Sequence, residues 1–199
     1  MVKKGLVLIW LLALCFASGA LFWYNDWQYQ LPTPIPKNYH PVNTGTIIHL
    51  DSGFTPTAGK PVFLHFFNPD CPCSRFNMAH FKSLVRQYGA RVDFIIVVMS
   101  HKTFTAQVIR DKFDLHLPVL FNASLATSCG VYSTPQAVIL DGQHRLYYRG
   151  NYNISRYCSD EKTSYAKIAL AGFLDNRPTF AFSRLALKAY GCRLPGCGN

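Results

Sequence analysis

At 199 residues and 49% hydrophobic content, the chain is enough for one compact domain with a real core and some extra length. Its formal net charge is +10, but the 20 Lys and Arg are scattered, with neither an arginine-rich stripe nor a reader motif, which sets nucleic-acid binding aside. The one local excess is the tail, where Arg177, Arg184, Lys188 and Arg193 follow Asp175 with no acid among them, a balance suited to anionic lipid headgroups or acidic partners.

The N-terminus, MVKKGLVLIWLLALCFASGALFWYNDW, runs apolar from Gly5 to Tyr24, 20 residues and close to the ~20 a membrane-crossing helix needs. Lys3 and Lys4 would stay in the cytoplasm, and Trp23, Tyr24 and Trp27 fit the outer interfacial belt. A cleaved signal peptide competes, because ASGA at 17–20 is a passable small-residue site. The apolar run continues beyond it through LFWY, which favours a retained anchor over residues 1–27. Cys15 reads as a small hydrophobe in that span, since Leu14 is too large to precede a lipid-modified cysteine. Either way the domain is exported, at the cytoplasmic (inner) membrane and facing the periplasm or other extracytoplasmic side.

Residues 30–43 carry four prolines, and the stretch 28–44 reads as a semi-stiff spacer lifting the domain off the membrane. GTIIHL (45–50) is a first strand and DSGFTPTAGKP a loop. VFLHFF (62–67) is nearly unbroken apolar and β-prone, a central strand buried on both faces. From Ser74 to Tyr88 the pattern turns helical, with Phe81, Leu84, Val85 and Tyr88 on one face and Gly89 as a stop. VDFIIVVM (92–99) is the strongest buried-strand signal. A helix over 104–113, a strand over 117–122 and a short helix ending at Gly130 follow. STPQAVILDGQHRLYYRG (133–150) reads as a hairpin around an Asp-Gly turn, and 161–176 as a closing amphipathic helix. The fold class is α/β, a mixed sheet with helices on both faces. The domain spans 45–176 and a basic, cysteine-containing tail spans 177–199.

Export changes the cysteine arithmetic. Leaving out Cys15, six remain (Cys71, Cys73, Cys129, Cys158, Cys192 and Cys197), and six thiols allow 15 pairings. NPDCPCSRFN (68–77) places Cys71 between the strand and the helix, where free backbone N–H groups and the helix dipole favour a thiolate. Cys73 is the nearest partner. A bridge across one residue strains disulfide geometry and is a poor staple but a plausible redox pair. Cys192 and Cys197 flank RLPG, whose turn chemistry brings them together, either as a local staple of the C-terminus or as a second redox pair exchanging electrons with Cys71. Cys129 reads as a small buried thiol, and Cys158 is left to pair with it only by elimination. Asp70 reads as a helix cap. No glycine-rich fingerprint for a nicotinamide, flavin or phosphate is present, so no cofactor is expected.

The order of elements, with VFLHFFNPDCPC and GVYSTPQAVILDG, resembles the thioredoxin superfamily and within it the membrane-anchored exported proteins of bacteria. The resemblance covers roughly 45–176. It implies a thiol-disulfide oxidoreductase acting on protein thiols or disulfides, with Cys71 as nucleophile and Cys73 as provisional resolver. It also implies that Pro135 is cis and faces the cysteines, while Thr134 presents backbone to a bound substrate strand. The chain departs from the family at Asp70, where tryptophan is usual, and at Ser74, which takes the place of the second cysteine of Cys-x-x-Cys. The resolver is therefore Cys73, a distant cysteine or a thiol on another molecule. Asn68 lacks the hydroxyl expected three residues before a peroxiredoxin cysteine. A copper-delivering branch of the superfamily supplies the rival reading, in which Cys71, Cys73 and a histidine hold Cu(I). His101 and His80 are placed near the motif for that role, and His65 reads as a core histidine.

Overall fold

The apolar run at 62–67 forms β1 (Val62–Phe67), all six residues buried at the centre of a five-stranded sheet. The computed structural model describes residues 2–25, 27, 31–50, 53–155, 157–177 and 182–194. β2 (Asp93–Val98) lies parallel to β1, with Val62 opposite Asp93 and Phe67 opposite Val98. β5 (Gln136–Leu140) lies antiparallel on its other side, and β6 (Leu146–Gly150) returns beside β5. A two-residue strand, β3 (Val119–Leu120), extends the parallel edge of β2. The sheet order is β3-β2-β1-β5-β6. α2 (Pro72–Tyr88) makes the crossover between the parallel strands β1 and β2, as such a connection requires. This is the thioredoxin-like mixed sheet that the motifs imply.

Strand periodicity divides β1 between two cores. Phe63 and Phe67 pack with Phe81 and Leu84 of α2 and with Ala166 and Leu170 of α5 (Tyr165–Leu174). Val62, Leu64 and Phe66 face Leu125, Ala126 and Cys129 of α4 (Ala123–Cys129). α4 starts on Asn122, whose side chain accepts from the N–H groups of Ser124 and Leu125, and stops at Gly130 with φ 68°. α3 (Ala106–Phe113) is shorter than the 104–113 expected because Thr105 caps it, accepting from the Val108 N–H.

Three segments differ from the sequence reading. Residues 45–50 form no full strand: Ile47 bridges Arg145, Ile48 is buried, and backbone bonds join Gly45, Thr46 and Ile48 to His144 and Leu146. The overlap reaches only the turn end of β6 and is too short for a ladder. The proline-rich stretch lies along the domain from Pro32 to Val42. Thr33 is buried with its N–H on Ala189 O, the Tyr39 hydroxyl donates to Gly130 O, and Val42 O accepts from Arg149. The tail is also part of the packed body: Ala186 of α6 (Arg184–Leu187) and Ala189 are buried, and Asn151 Nδ2 donates to Leu185 O and Lys188 O. At the other end, α1 (Val2–Asn25) includes a 23-residue span, Lys3–Asn25, whose most apolar 18-residue window has mean hydropathy 2.4 and is not buried, long enough to cross a membrane.

His65 sits on β1 facing the first core, stacked on Phe81 with ring centroids 4.1 Å apart, its Nδ1 2.7 Å from the Tyr152 hydroxyl. Burial lowers its pKa from 6.5 to about 3. Between these values the unfolded chain binds a proton that the folded protein refuses. Stability therefore falls as pH drops through that window, by up to about 1.4 kcal/mol per pH unit. His65→Phe should flatten this acid slope, at a neutral-pH cost of about 1 kcal/mol for the lost bond to the Tyr152 hydroxyl. Denaturant titrations from pH 7 to pH 4 check it, and an unchanged slope in the variant would contradict this account of His65.

Candidate active site: a disulfide between helix and tail

The chain turns sharply between β1 and α2, and local polar bonds hold that turn. Asn68 N donates to Ser74 Oγ at 3.2 Å, Asp70 N donates to Asn68 Oδ1 at 2.9 Å, and Cys71 N donates to Asn68 O at 3.1 Å. Ser74, at the family's second cysteine position, is buried and serves as the anchor of this turn. Cys71 is itself the N-cap residue of α2, with extended φ −80° and ψ 123° and Pro72 following at the start of the helix. Its side chain makes no capping hydrogen bond to the helix. Asp70 is not the cap expected of it. Its carboxylate turns outward to Lys102 Nζ at 3.2 Å and Ser100 Oγ at 3.5 Å, an exposed pair worth at most about 1 kcal/mol.

Cys71 is joined to Cys192 across 121 residues, with the two Cα atoms 6.2 Å apart. Cys73, the expected partner, is buried beside this bond, and the sulfurs of Cys71, Cys73 and Cys192 all lie within 4.8 Å of one another. The expected Cys192–Cys197 pair is replaced by this longer connection, and Cys197 lies outside the described residues. Local turn chemistry at RLPG proposes a neighbour; the tail instead runs back to the sheet. There β7 (Cys192–Arg193) pairs antiparallel with β4 (Ser133–Thr134), Thr134 opposite Cys192 and Ser133 opposite Arg193. The Thr134–Pro135 peptide is cis, and Thr134 O lies 3.7 Å from Cys71 Sγ. Thr33 completes the frame, with its hydroxyl 3.0 Å from Ser133 Oγ and donating to Gly191 O at 3.1 Å.

Cys129 and Cys158 lie outside this cluster of sulfurs. Cys129 and Cys158 are both thiols rather than the disulfide reached by elimination. Burial pushes each thiol up to about 12, and Cys158 Sγ donates to Asn77 Oδ1 at 3.0 Å. A cavity of about 340 Å³ opens beside the disulfide, lined by Cys73, Pro135, Tyr152, Cys158, Tyr190 and Gly191. Among the described residues, the group able to hold a metal is the three sulfurs, and no histidine belongs to it. His65 is engaged by Tyr152, His80 shares a 3.1 Å hydrogen bond with Ser164 Oγ, and His101 is exposed. The Cys-Cys-His set of the copper reading is therefore not assembled.

The parallel β1-α2-β2 unit, the cysteine heading α2 and the cis-proline ahead of the β5–β6 hairpin define a thioredoxin-like fold. More narrowly, residues 42–195 match the family described as a domain of unknown function (DUF6436), and the chain belongs to that family. No curated protein matches it in sequence. Among solved structures, it is similar to an uncharacterized conserved protein from Geobacillus kaustophilus, with TM-score 0.63 and 17% identity over 82% of this chain and 97% of that one. A hypothetical protein from Sinorhizobium meliloti 1021 gives TM-score 0.62 and 15% identity over 78% and 96%. A secreted Mycobacterium tuberculosis disulfide oxidoreductase overlaps more loosely, with TM-score 0.42 and 21% identity over 57% and 83%. The first two likenesses speak to the fold.

Because the thiolate is the reacting species, raising a thiol from 9.0 to about 12 lowers its reactive fraction at neutral pH about a thousandfold. In the native full chain, iodoacetamide at pH 7 should label Cys129 and Cys158 at least about a hundredfold more slowly than in denaturant. Rapid native labelling of either would contradict the burial described.

Proposed function

We propose that the chain is a thiol-disulfide oxidoreductase acting on exported proteins outside the cytoplasmic membrane, with Cys71 as its nucleophile. The observation that carries this reading is the Cys71–Cys192 disulfide at the start of α2, with the Cys73 sulfur within 4.8 Å of both. Once reduced, Cys71 sits at the positive end of a 17-residue helix, which favours its thiolate both as attacking group and as leaving group. α1 would serve as a single-pass tether, holding the domain on the periplasmic or other extracytoplasmic side. Thr134 and Pro135 would position the client strand beside the sulfur.

A client thiolate attacks Cys71 Sγ, the bond to Cys192 breaks, and Cys192 leaves as a thiolate that takes up a proton. A second client thiolate then attacks the first client sulfur and Cys71 leaves. The client gains a disulfide, and the Cys71/Cys192 pair gains the two electrons. The reverse sequence reduces a client disulfide. Cys73 takes part by attacking either bonded sulfur, which moves the bridge without moving net electrons.

A second reading rests on the same three sulfurs. Reduced Cys71, Cys73 and Cys192 form a soft set suited to Cu(I), which would make the chain a copper-binding metallochaperone with Cys192 in place of the histidine.

The test uses the oxidised full chain in detergent and a reduced dithiol protein as acceptor. The chain should pass one disulfide per molecule to the acceptor, Cys71→Ser should abolish the transfer, and Cys129→Ser should leave it unchanged. Equal transfer by Cys71→Ser would overturn the assignment. Absence of transfer by the parent, together with one Cu(I) bound per reduced chain, would favour the copper reading.

A further inference from the structure

The tail strand meets Cys71 in the manner of a peptide in exchange with it, and its side chains show what such a peptide must look like. Cys192 pairs across the ladder with Thr134 and is covalently bound to Cys71. Gly191, just before it, has φ 130°, and a Cβ at that position would strike Thr134 O and come within 3.0 Å of Thr134 C. A side chain is therefore excluded there by backbone conformation and by contact with backbone that cannot yield. Two residues beyond the cysteine, Leu194 is buried in the core around Val62, Leu64 and Val131, while Arg193 between them is exposed. The alternation is that of a strand added to an edge, with main-chain bonds for affinity and alternate side chains for choice.

The strand is also lightly held apart from its disulfide. The root of the tail is fixed separately, by Asn151 on Leu185 O and Lys188 O and by the Tyr190 N–H on Asn151 Oδ1 at 3.4 Å. Beyond that root, a two-residue ladder, the Thr33 bond to Gly191 and the Leu194 side chain hold residues 191–194. Breaking the Cys71–Cys192 bond leaves those few contacts to be displaced.

We propose that the tail segment Gly191–Leu194 is a built-in copy of the client. The site takes an extended peptide that presents a cysteine directly after a glycine and an apolar side chain two residues later. The inference rests on the oxidoreductase reading and specifies its substrate class. A client thiolate bonds to Cys71 as Cys192 leaves, and the client strand takes the place of β7 on Ser133 and Thr134.

The experiment uses the full chain in detergent carrying Cys192→Ser, so that the tail still competes but cannot bond. It is mixed with the peptide of residues 188–194, KAYGCRL, whose cysteine is a mixed disulfide with glutathione. Attack by the Cys71 thiolate on the peptide sulfur releases glutathione and attaches the peptide, read by mass and located by digestion. Peptides with Gly191→Val or Leu194→Asp serve as comparators. Competition from the tail is the same for all three, so the ratio of rates reports recognition. The parent peptide should attach at least about tenfold faster than either comparator, a difference of about 1.4 kcal/mol. Equal rates would overturn the client assignment while leaving the oxidoreductase reading in place, provided that oxidised glutathione alone modifies Cys71. If neither peptide nor oxidised glutathione modifies Cys71, both readings fall together.

Discussion

The antiparallel contact between Thr134 and Cys192 is the constraint on which the site depends. It sets one strand of the C-terminal tail against the segment that enters the cis Thr134–Pro135 bond, and so delivers a sulfur to Cys71 from 121 residues away. Gly191 makes the approach possible, because any side chain there would meet the Thr134 backbone. Thr33, from the proline-rich stretch, ties Ser133 and Gly191 from the other side. Sheet, tail and N-terminal strap thus close over one disulfide.

The second element is the start of α2. Asn68 and Ser74 fix the turn by short polar bonds, and Cys71 occupies the cap position with its sulfur bonded to Cys192 beside Thr134 O. The same placement that leaves helix N–H groups available would steady a thiolate once the bond opens. Cys73 shares the pocket of sulfur but sits one residue into the helix, and it faces the cavity that also contains Cys158. Burial raises the Cys129 and Cys158 thiols, and neither belongs to the cluster of Cys71, Cys73 and Cys192.

Much of the fold was legible because its signals are local. The continuous apolar runs at 62–67 and 92–99 are the two central parallel strands, and Asp141-Gly142 turns the hairpin between β5 and β6. Gly130 ends α4 in the left-handed region that glycine tolerates. The position of Cys71 at a helix start was legible for the same reason. Its partner was not, since no short-range pattern links residues 71 and 192, and the Pro-Gly turn beyond Cys192 points to Cys197 instead. The only sign in the sequence is Gly191 beside a cysteine, an open backbone next to a thiol. Asp70 misled because cap preference ignores competitors, and Lys102 and Ser100 lie within its reach. The packing of 32–42 onto the domain was hidden because prolines report stiffness and say nothing of what a stiff segment rests on.

Cys192, and not Cys73 or Cys197, is the residue bonded to Cys71. The most direct measurement is disulfide mapping by peptide mass on the full chain purified oxidised, alkylated at low pH to prevent reshuffling. The account predicts a linked pair of peptides containing Cys71 and Cys192, with Cys73 recovered alkylated. Recovery of a Cys71–Cys73 bridge, or of Cys192 bonded to Cys197 with Cys71 alkylated, would contradict it.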